Sequence, residues 1–391
     1  MRRFDVVVIG GGVHGVGVAQ AAAAAGHSVL LIEKRALANG TSSKSSKLIH
    51  GGLRYLESGQ LRLVHESLRE RRILLRIAAE LVRLVPFLIP VYRQTRRRPW
   101  QLRIGLTLYA LLGGLGPGTR YRTVPRAEWD QLDGLKTQDL ETVLQYYDGQ
   151  TDDAALTRAV MRSAQSLGAE LAMPAMFVAA ELNEDGAVVS YAHDGAELQC
   201  AASVVVNAAG PWAADVADRI RPAIGVPSLE LIQGTHVIVP GTPQQGIYYV
   251  ESPRDGRAVF VMPWHGRTLV GTTETRFHGN PDQVAPLASE RHYLASVLRN
   301  YFPAYASLRL HELQAFAGLR VLPAGRGHAF HRSRETLLLV DRPARPRVLG
   351  IYGGKLTGWR ATAEHVMQRI ADSLPARKPR ANTKTLRIAP D

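Results

Sequence analysis

Gly10-Gly11-Gly12-Val13-His14-Gly15 puts glycine at the first, third and sixth places of a six-residue turn. Glycine at the first permits a sharp turn. At the third it lets backbone approach a pyrophosphate, and at the sixth it lets a helix pack close to a strand. A helix beginning there turns its positive end to phosphate. Glu33 follows Gly15 by eighteen positions, closing the next apolar run, where an acid meets adenosine ribose hydroxyls. This is the chemistry of dinucleotide binding. The turn alone does not choose between NAD and FAD. Two further stretches favour flavin. Thr41 to Glu57, TSSKSSKLIHGGLRYLE, is too polar for a core strand and too rich in Gly and Ser for a good helix; its hydroxyls and amides suit an extended flavin nucleotide. Gly353-Gly354-Lys355-Leu356-Thr357 opens a second helix, whose N-terminus stabilises negative charge on a reduced flavin ring.

The elements that must carry these residues follow from periodicity. Asp5–Ile9 and Val29–Ile32 are β-branched runs bounded by glycine and predict buried strands around a helix from Gly12 to Ala25, ended by Gly26. Leu61, Val64, Leu68, Leu75, Ala78 and Val82 recur at helical spacing and predict a helix to about Val85, with Pro86, Pro90 and Pro99 breaking the stretch beyond it. A helix over Ala154–Leu167 has Asp152 or Asp153 as its cap. Short strands fill Leu171–Val206, with hairpin turns at Asp185-Gly186 and Asp194-Gly195. Leu229–Gly271 reads as β-rich, Ala288–Tyr301 as a helix, Thr336–Val340 and Arg347–Ile351 as strands, and Pro375 onward as a loose basic tail.

The whole is α/β: a Rossmann-like FAD-binding domain with a discontinuous, β-rich substrate domain. The expected division is an FAD-binding domain in three parts (1–83, 150–225, 336–374), a basic helical segment on the substrate side (84–149), a substrate domain (226–335) and a tail (375–391). The lone Cys200 allows no internal disulfide and reads as a small buried residue. Asp5 interrupts the apolar opening, which excludes a signal peptide, and Leu84–Tyr92 and Ile104–Leu115 are too short to span a bilayer. The expected location is cytoplasmic, with the inner face of the cell membrane as a peripheral site. Formal net charge is +14, and Arg54 to Arg126 holds fifteen arginines, no lysine and four acids. Such a segment attracts acidic lipid, nucleic acid or a phosphorylated substrate.

The glycine turn, the Thr41–Glu57 block, VVNAAGPWAADVA, IQGTHVIVP, FVMPWHGRTLVGTTE, AGLRVLPA and YGGKLTGWRATAEH resemble, in order, the FAD-dependent glycerol-3-phosphate dehydrogenases, a group within the D-amino-acid-oxidase-like flavoenzymes. That resemblance implies FAD as cofactor. It implies hydride transfer from carbon 2 of sn-glycerol 3-phosphate to flavin, and a quinone or oxygen as electron acceptor. It lays Gly10, Gly12, Val13, Gly15, Glu33, Lys34, Thr41, Ser42, Ser43, Ser46, Lys47, Leu48 and His50 along the cofactor, with Ala209, Gly210, Trp212, Gly353, Gly354, Leu356 and Thr357. Arg54, Tyr55, His236, Thr273, Arg320 and Lys355 would meet the substrate. The residue types suit this independently: arginines and lysine for a phosphate dianion, and His236 as the base that accepts the alcohol proton.

The sequence departs from that family at Glu274 (usually Asp), at Gly358-Trp359 (usually Thr-Tyr) and at Val321 (usually Pro). It ends where the family usually continues into a helical domain of about a hundred residues. These departures keep a second reading open, a flavin oxidase of another small anionic hydroxy acid or amine. A nucleic-acid-binding flavoprotein is a third; only Tyr92 and Trp100 interrupt the densest arginines, which counts against a base-stacking platform. A membrane contact would use Leu61–Arg103, with Leu84–Ile89 and Trp100 as its apolar points. The sequence calls for no metal site and sets no oligomeric state.

Overall fold

The structure is a computed structural model that describes residues 1–116, 118–309, 313–324 and 336–390. The residues 325–335 assigned above to the substrate domain lie outside it. The chain runs β1 (Arg2–Ile9), α1 (Val13–Ala24), β2 (Val29–Ile32), β3 (Leu48–Ile49), α2 (Leu61–Ile77), β4 (Val82–Tyr92), α3 (Pro99–Leu112), β5 (Arg122–Thr123) and β6 (Leu140–Thr151). It continues through α4 (Asp153–Ser166), β7 (Glu170–Ala172), β8 (Ala175–Asn183), β9 (Gly186–His193), β10 (Ala196–Asn207), α5 (Ala213–Ala217) and β11 (Ile220–Arg221). The rest comprises β12 (Leu229–Val239), β13 (Ile247–Glu251), β14 (Ala258–Trp264), β15 (Arg267–Gly271), β16 (Thr275–Phe277), α6 (Ala288–Tyr301), β17 (Gln314–Pro323), β18 (Leu337–Val340), β19 (Val348–Tyr352) and α7 (Trp359–Ile370).

Among the described residues the strands form two sheets, one of nine and one of ten. In the first, β1 lies between β2 and β10, all parallel, with β7 outside β2. The long β10 pairs with β9 along its first half and with β19 along its second. Val6, Val8, Val204 and Val206 meet the Ala-rich α1, which α4 and α7 cover. The second sheet runs β16-β12-β15-β14-β13-β4-β6-β3, with β17 on β12 and β5 on β6. The strands of each sheet come from alternating stretches of chain, so the β-rich domain is discontinuous.

The helix expected to Val85 ends at Ile77. From Val82 the sequence turns β-branched and aromatic, and pairing with β6 prevails over helical periodicity. Pro86 and Pro90 therefore lie inside a strand. Four residues apart, both nitrogens face the same edge, so donors toward the other edge survive. Pro99 does not break a helix but starts α3. Residues 84–149, expected as a basic helical segment, supply α3 together with most of two long strands. Phe87, Leu88 and Ile89 are buried, so half of Leu84–Ile89 offers no surface contact. Asp152 caps α4, accepting from Ala154 and Ala155 N–H at 3.0 Å each.

The tail is not loose. Arg380 N–H donates to Ala24 O and Ile388 N–H to Ile77 O, both at 2.7 Å. Arg377 pairs with Asp5. Gly26 has φ +95°, and a Cβ there would lie 2.4 Å from Lys378 O, so this glycine both ends α1 and admits the tail. Arg360, 1% exposed, donates twice to Glu70 of α2, at 2.7 and 2.6 Å, and once to Thr383 Oγ1 at 3.2 Å. Ile388 joins the core between α2 and α4. Ile388→Ala should cost about 2–4 kcal/mol by leaving a cavity, read as a lowered denaturant midpoint with unchanged slope; an unmoved midpoint would mean the tail is not packed.

Candidate active site

A cavity of about 740 Å³ runs from the glycine turn between β1 and α1 to the Gly353–Leu356 turn before α7. Of the residues expected on the cofactor or substrate, Gly10, Gly12, Val13, Glu33, Lys34, Thr41, Ser42, Ala209, Gly210, Trp212, Arg320, Gly353, Gly354, Lys355 and Leu356 line it. Gly15 lies behind the lining: a Cβ there would sit 1.9 Å from Gly10 O, so only glycine lets α1 approach β1. Glu33, at the end of β2, accepts from Gly11 N–H at 2.7 Å. Ser42 Oγ accepts from Val13 N–H, the amide opening α1, at 2.9 Å. Sequence reasoning missed His14, Asn39, Ser45, Met176 and Phe177 in the lining. His14 stood inside the glycine motif; Met176 and Phe177 carried no signal.

Most polar side chains of the Thr41–Glu57 block bind protein. Thr41 donates to Leu319 O at 2.6 Å, Ser45 to Asp153 Oδ2 at 2.6 Å, and Ser46 Oγ lies 3.1 Å from His236 Nε2. Ser43 makes a long bond to Gly40 O at 3.4 Å. Lys47, with φ +61°, folds back to donate to Ser43 O and Asp153 Oδ1, each at 2.6 Å. This ion pair is buried, and Leu48 beside it is core. His50 N–H donates to Thr357 Oγ1 at 3.0 Å, and that hydroxyl returns to His50 O at 3.2 Å. The block ties α1, α4, β12, β17 and α7 together. Of this block, Thr41, Ser42 and Ser45 line the cavity.

Cations gather at the end of this loop. Arg54 Nη2 donates to Tyr55 OH at 3.2 Å, and Lys355 Nζ sits 3.9 Å from the centre of the Tyr55 ring. Burial works against the charge of Arg54, but Tyr55 and Glu274 outweigh it and raise its pKa. Arg320 donates to Glu274 Oε1 at 2.8 Å and to Thr273 O at 2.6 Å, while Arg257 reaches the other Glu274 oxygen at 3.4 Å. Thr273, expected on the substrate, turns its hydroxyl away to Glu290 and presents its carbonyl instead. His236 is 2% exposed, stacks on Phe316, and keeps Nδ1 without a hydrogen-bond partner among the described residues. Burial, then Lys47 and Arg320, push its pKa down to about 3.

The donor set fits FAD. Amides converge at a helix N-terminus, and a carboxylate closes β2. Two buried lining atoms, His14 Nδ1 and Trp212 Nε1, have no partner among the described residues. Fold and site together define a flavin-dinucleotide-binding α/β protein. The family described as FAD dependent oxidoreductase matches residues 5–365, and the chain belongs to it. FAD is its cofactor. D-erythritol 1-phosphate dehydrogenase of Brucella abortus is 35% identical over 95% of this chain and 74% of its own. Glycerol-3-phosphate dehydrogenase of Synechocystis is 33% identical over 98% of this chain and 72% of its own. Among solved structures, glycerol-3-phosphate dehydrogenase from Bacillus halodurans complexed with FAD superposes with a TM-score of 0.77, at 24% identity, covering 99% of this chain and 68% of that one.

Burial also holds the His14 pKa down, at about 4. Both histidines stay neutral when folded and take a proton near pH 6.5 when unfolded. A depressed folded pKa gives stability that is complete above the unfolded value and lost as pH falls below it. The melting temperature should therefore fall between pH 6.5 and about 3. Each histidine adds a slope of up to about 1.4 kcal/mol per pH unit. His236→Asn should make that acid limb shallower; an unchanged slope would contradict the assignment.

Proposed function

We propose that the protein oxidises sn-glycerol 3-phosphate to dihydroxyacetone phosphate, and the gathering of Arg257 and Arg320 on Glu274, with Arg54 in its electrostatic reach and Lys355 over the Tyr55 ring, carries this reading. FAD, when bound, supplies the acceptor for the hydride leaving carbon 2. The chain's own residues bind the phosphate, hold the hydroxyl and accept its proton. Guanidinium forks match phosphate oxygens, and in a partly buried site their bonds are stronger than in water. His236 is the proton acceptor in this reading. It is neutral at working pH, as a base must be, but burial first, and then the nearby Lys47 and Arg320, penalise the imidazolium. A phosphate dianion arriving beside Arg320 offsets the part of that penalty due to the two cations, so proton acceptance is coupled to substrate binding. Turnover of glycerol 3-phosphate should exceed that of glycerol in kcat/KM by on the order of a thousandfold, the loss of two or three charge-assisted hydrogen bonds. Equal turnover of an unphosphorylated alcohol, or faster turnover of an amine, would favour the flavin-oxidase reading instead.

We further infer that α3 rests on an acidic lipid surface, from which a membrane-dissolved quinone takes the electrons. No helix among the described residues is long and apolar enough to cross a membrane. The inner face of α3, with Leu102, Leu106 and Tyr109, packs in the same cluster as Tyr55. Its outer face exposes Trp100, Ile104 and Leu111 beside the exposed Arg96 and Arg103. Apolar anchors flanked by arginine are the features of a helix lying in a lipid interface. Sedimentation with anionic vesicles should weaken about tenfold when Arg96 and Arg103 are changed to Glu. Binding that is indifferent to this change would remove the lipid contact.

A further inference from the structure

We propose that Glu290, at the start of α6, is a positioning residue for Arg320. Its carboxylate faces the back of the turn that holds the guanidinium. Oε1 accepts from Thr273 Oγ1 and Thr275 Oγ1, each at 2.8 Å. Oε2 accepts from Thr235 Oγ1 at 2.6 Å, Gln233 Nε2 at 2.7 Å and Leu287 N–H at 3.2 Å. Only the last is helix capping, the service an acid at this place ordinarily performs. The other four bonds run to β12, to the turn between β15 and β16, and to the first residue of β16. These hydrogen bonds keep the carboxylate ionised: against burial, the hydroxyls of Thr235, Thr273 and Thr275 draw its pKa below the usual value.

The turn is thereby fixed from behind. Thr235 N–H donates to Thr273 Oγ1 at 2.8 Å, so this hydroxyl accepts from β12 while it donates to Glu290. On the opposite side the same turn presents Thr273 O and the Glu274 carboxylate, and both accept from Arg320. Arg320 enters from β17, opposite Ile232 of β12, and its side chain lies across Gly234. A Cβ on Gly234 would come within 2.6 Å of Arg320 Nη2. The guanidinium thus has a channel over glycine and two acceptors at its end, and Glu290 sets where those acceptors stand. His236 follows Thr235 on β12, so the same carboxylate also steadies the strand that carries the proposed base.

The inference rests on the reading that Arg320 grips the anionic substrate, and the test separates the two. FAD-loaded protein is titrated with inorganic phosphate, followed through perturbation of the bound flavin's absorbance, and KM and kcat are measured separately. Glu290→Ala should weaken phosphate binding and raise the KM for glycerol 3-phosphate by about tenfold or more through misplacement of Arg320, with FAD content unchanged. Thr273→Val removes the link while keeping the shape and should do the same; Thr273→Ser restores the hydroxyl and should return both values to near wild type. If Glu290→Ala does not fold, the Val and Ser pair decides. A lowered melting temperature with phosphate affinity and KM unmoved would reduce Glu290 to a structural cap and overturn the proposal. If Arg320→Lys also leaves phosphate affinity unmoved, the substrate reading fails first.

Discussion

A cation can be kept in a protein interior only beside a carboxylate that offsets its lost hydration. This chain does so repeatedly, and with acids from distant segments. Lys47 meets Asp153, Arg71 meets Asp148, Arg360 meets Glu70, and Arg320 meets Glu274. The first three pairs are closed and bind α2, α4, α7 and the nucleotide loop into one body. The fourth is shared: Glu274 meets both Arg320 and Arg257, with Arg54 within its electrostatic reach. Fold stability and the proposed substrate recognition thus draw on the same kind of interaction.

The two sheets divide the work. The parallel one brings a helix N-terminus, a glycine turn and Glu33 to one end of a long cavity. The larger one brings β12 and β17 side by side, so that His236 and Arg320 arrive on neighbouring strands within a single register. The Thr41–Glu57 loop crosses between the sheets and is bonded to both, through Val13 on one side and Leu319 and His236 on the other. A loop held at so many points places Arg54 and Tyr55 without needing a regular element of its own.

Much of this was legible in the sequence because it rests on local rules. The glycine turn, the Asp152 cap, the hairpin turns and the Ala288–Tyr301 helix are each specified within a few residues. What escaped depends on distant partners. Val82–Tyr92 is a strand because β6 lies fifty-odd residues ahead to pair with it, which no window of helical spacing can register. The tail is ordered because Ile77, Ala24 and Arg360 wait for it. The loop's hydroxyls looked like phosphate donors by type, yet Thr41, Ser45 and Ser46 face protein groups 108 to 278 positions away. Thr273 shows the same limit: its motif marks the turn correctly, but only the fold says which way the hydroxyl points.

The central claim is that a cationic pocket delivers a small phosphorylated alcohol to bound flavin. Mixing the purified yellow protein anaerobically with sn-glycerol 3-phosphate tests it most directly. The account predicts loss of the oxidised flavin's visible band in a single phase, with one equivalent of dihydroxyacetone phosphate formed per flavin. A band that persists in saturating substrate, in protein whose flavin dithionite still reduces, would contradict it.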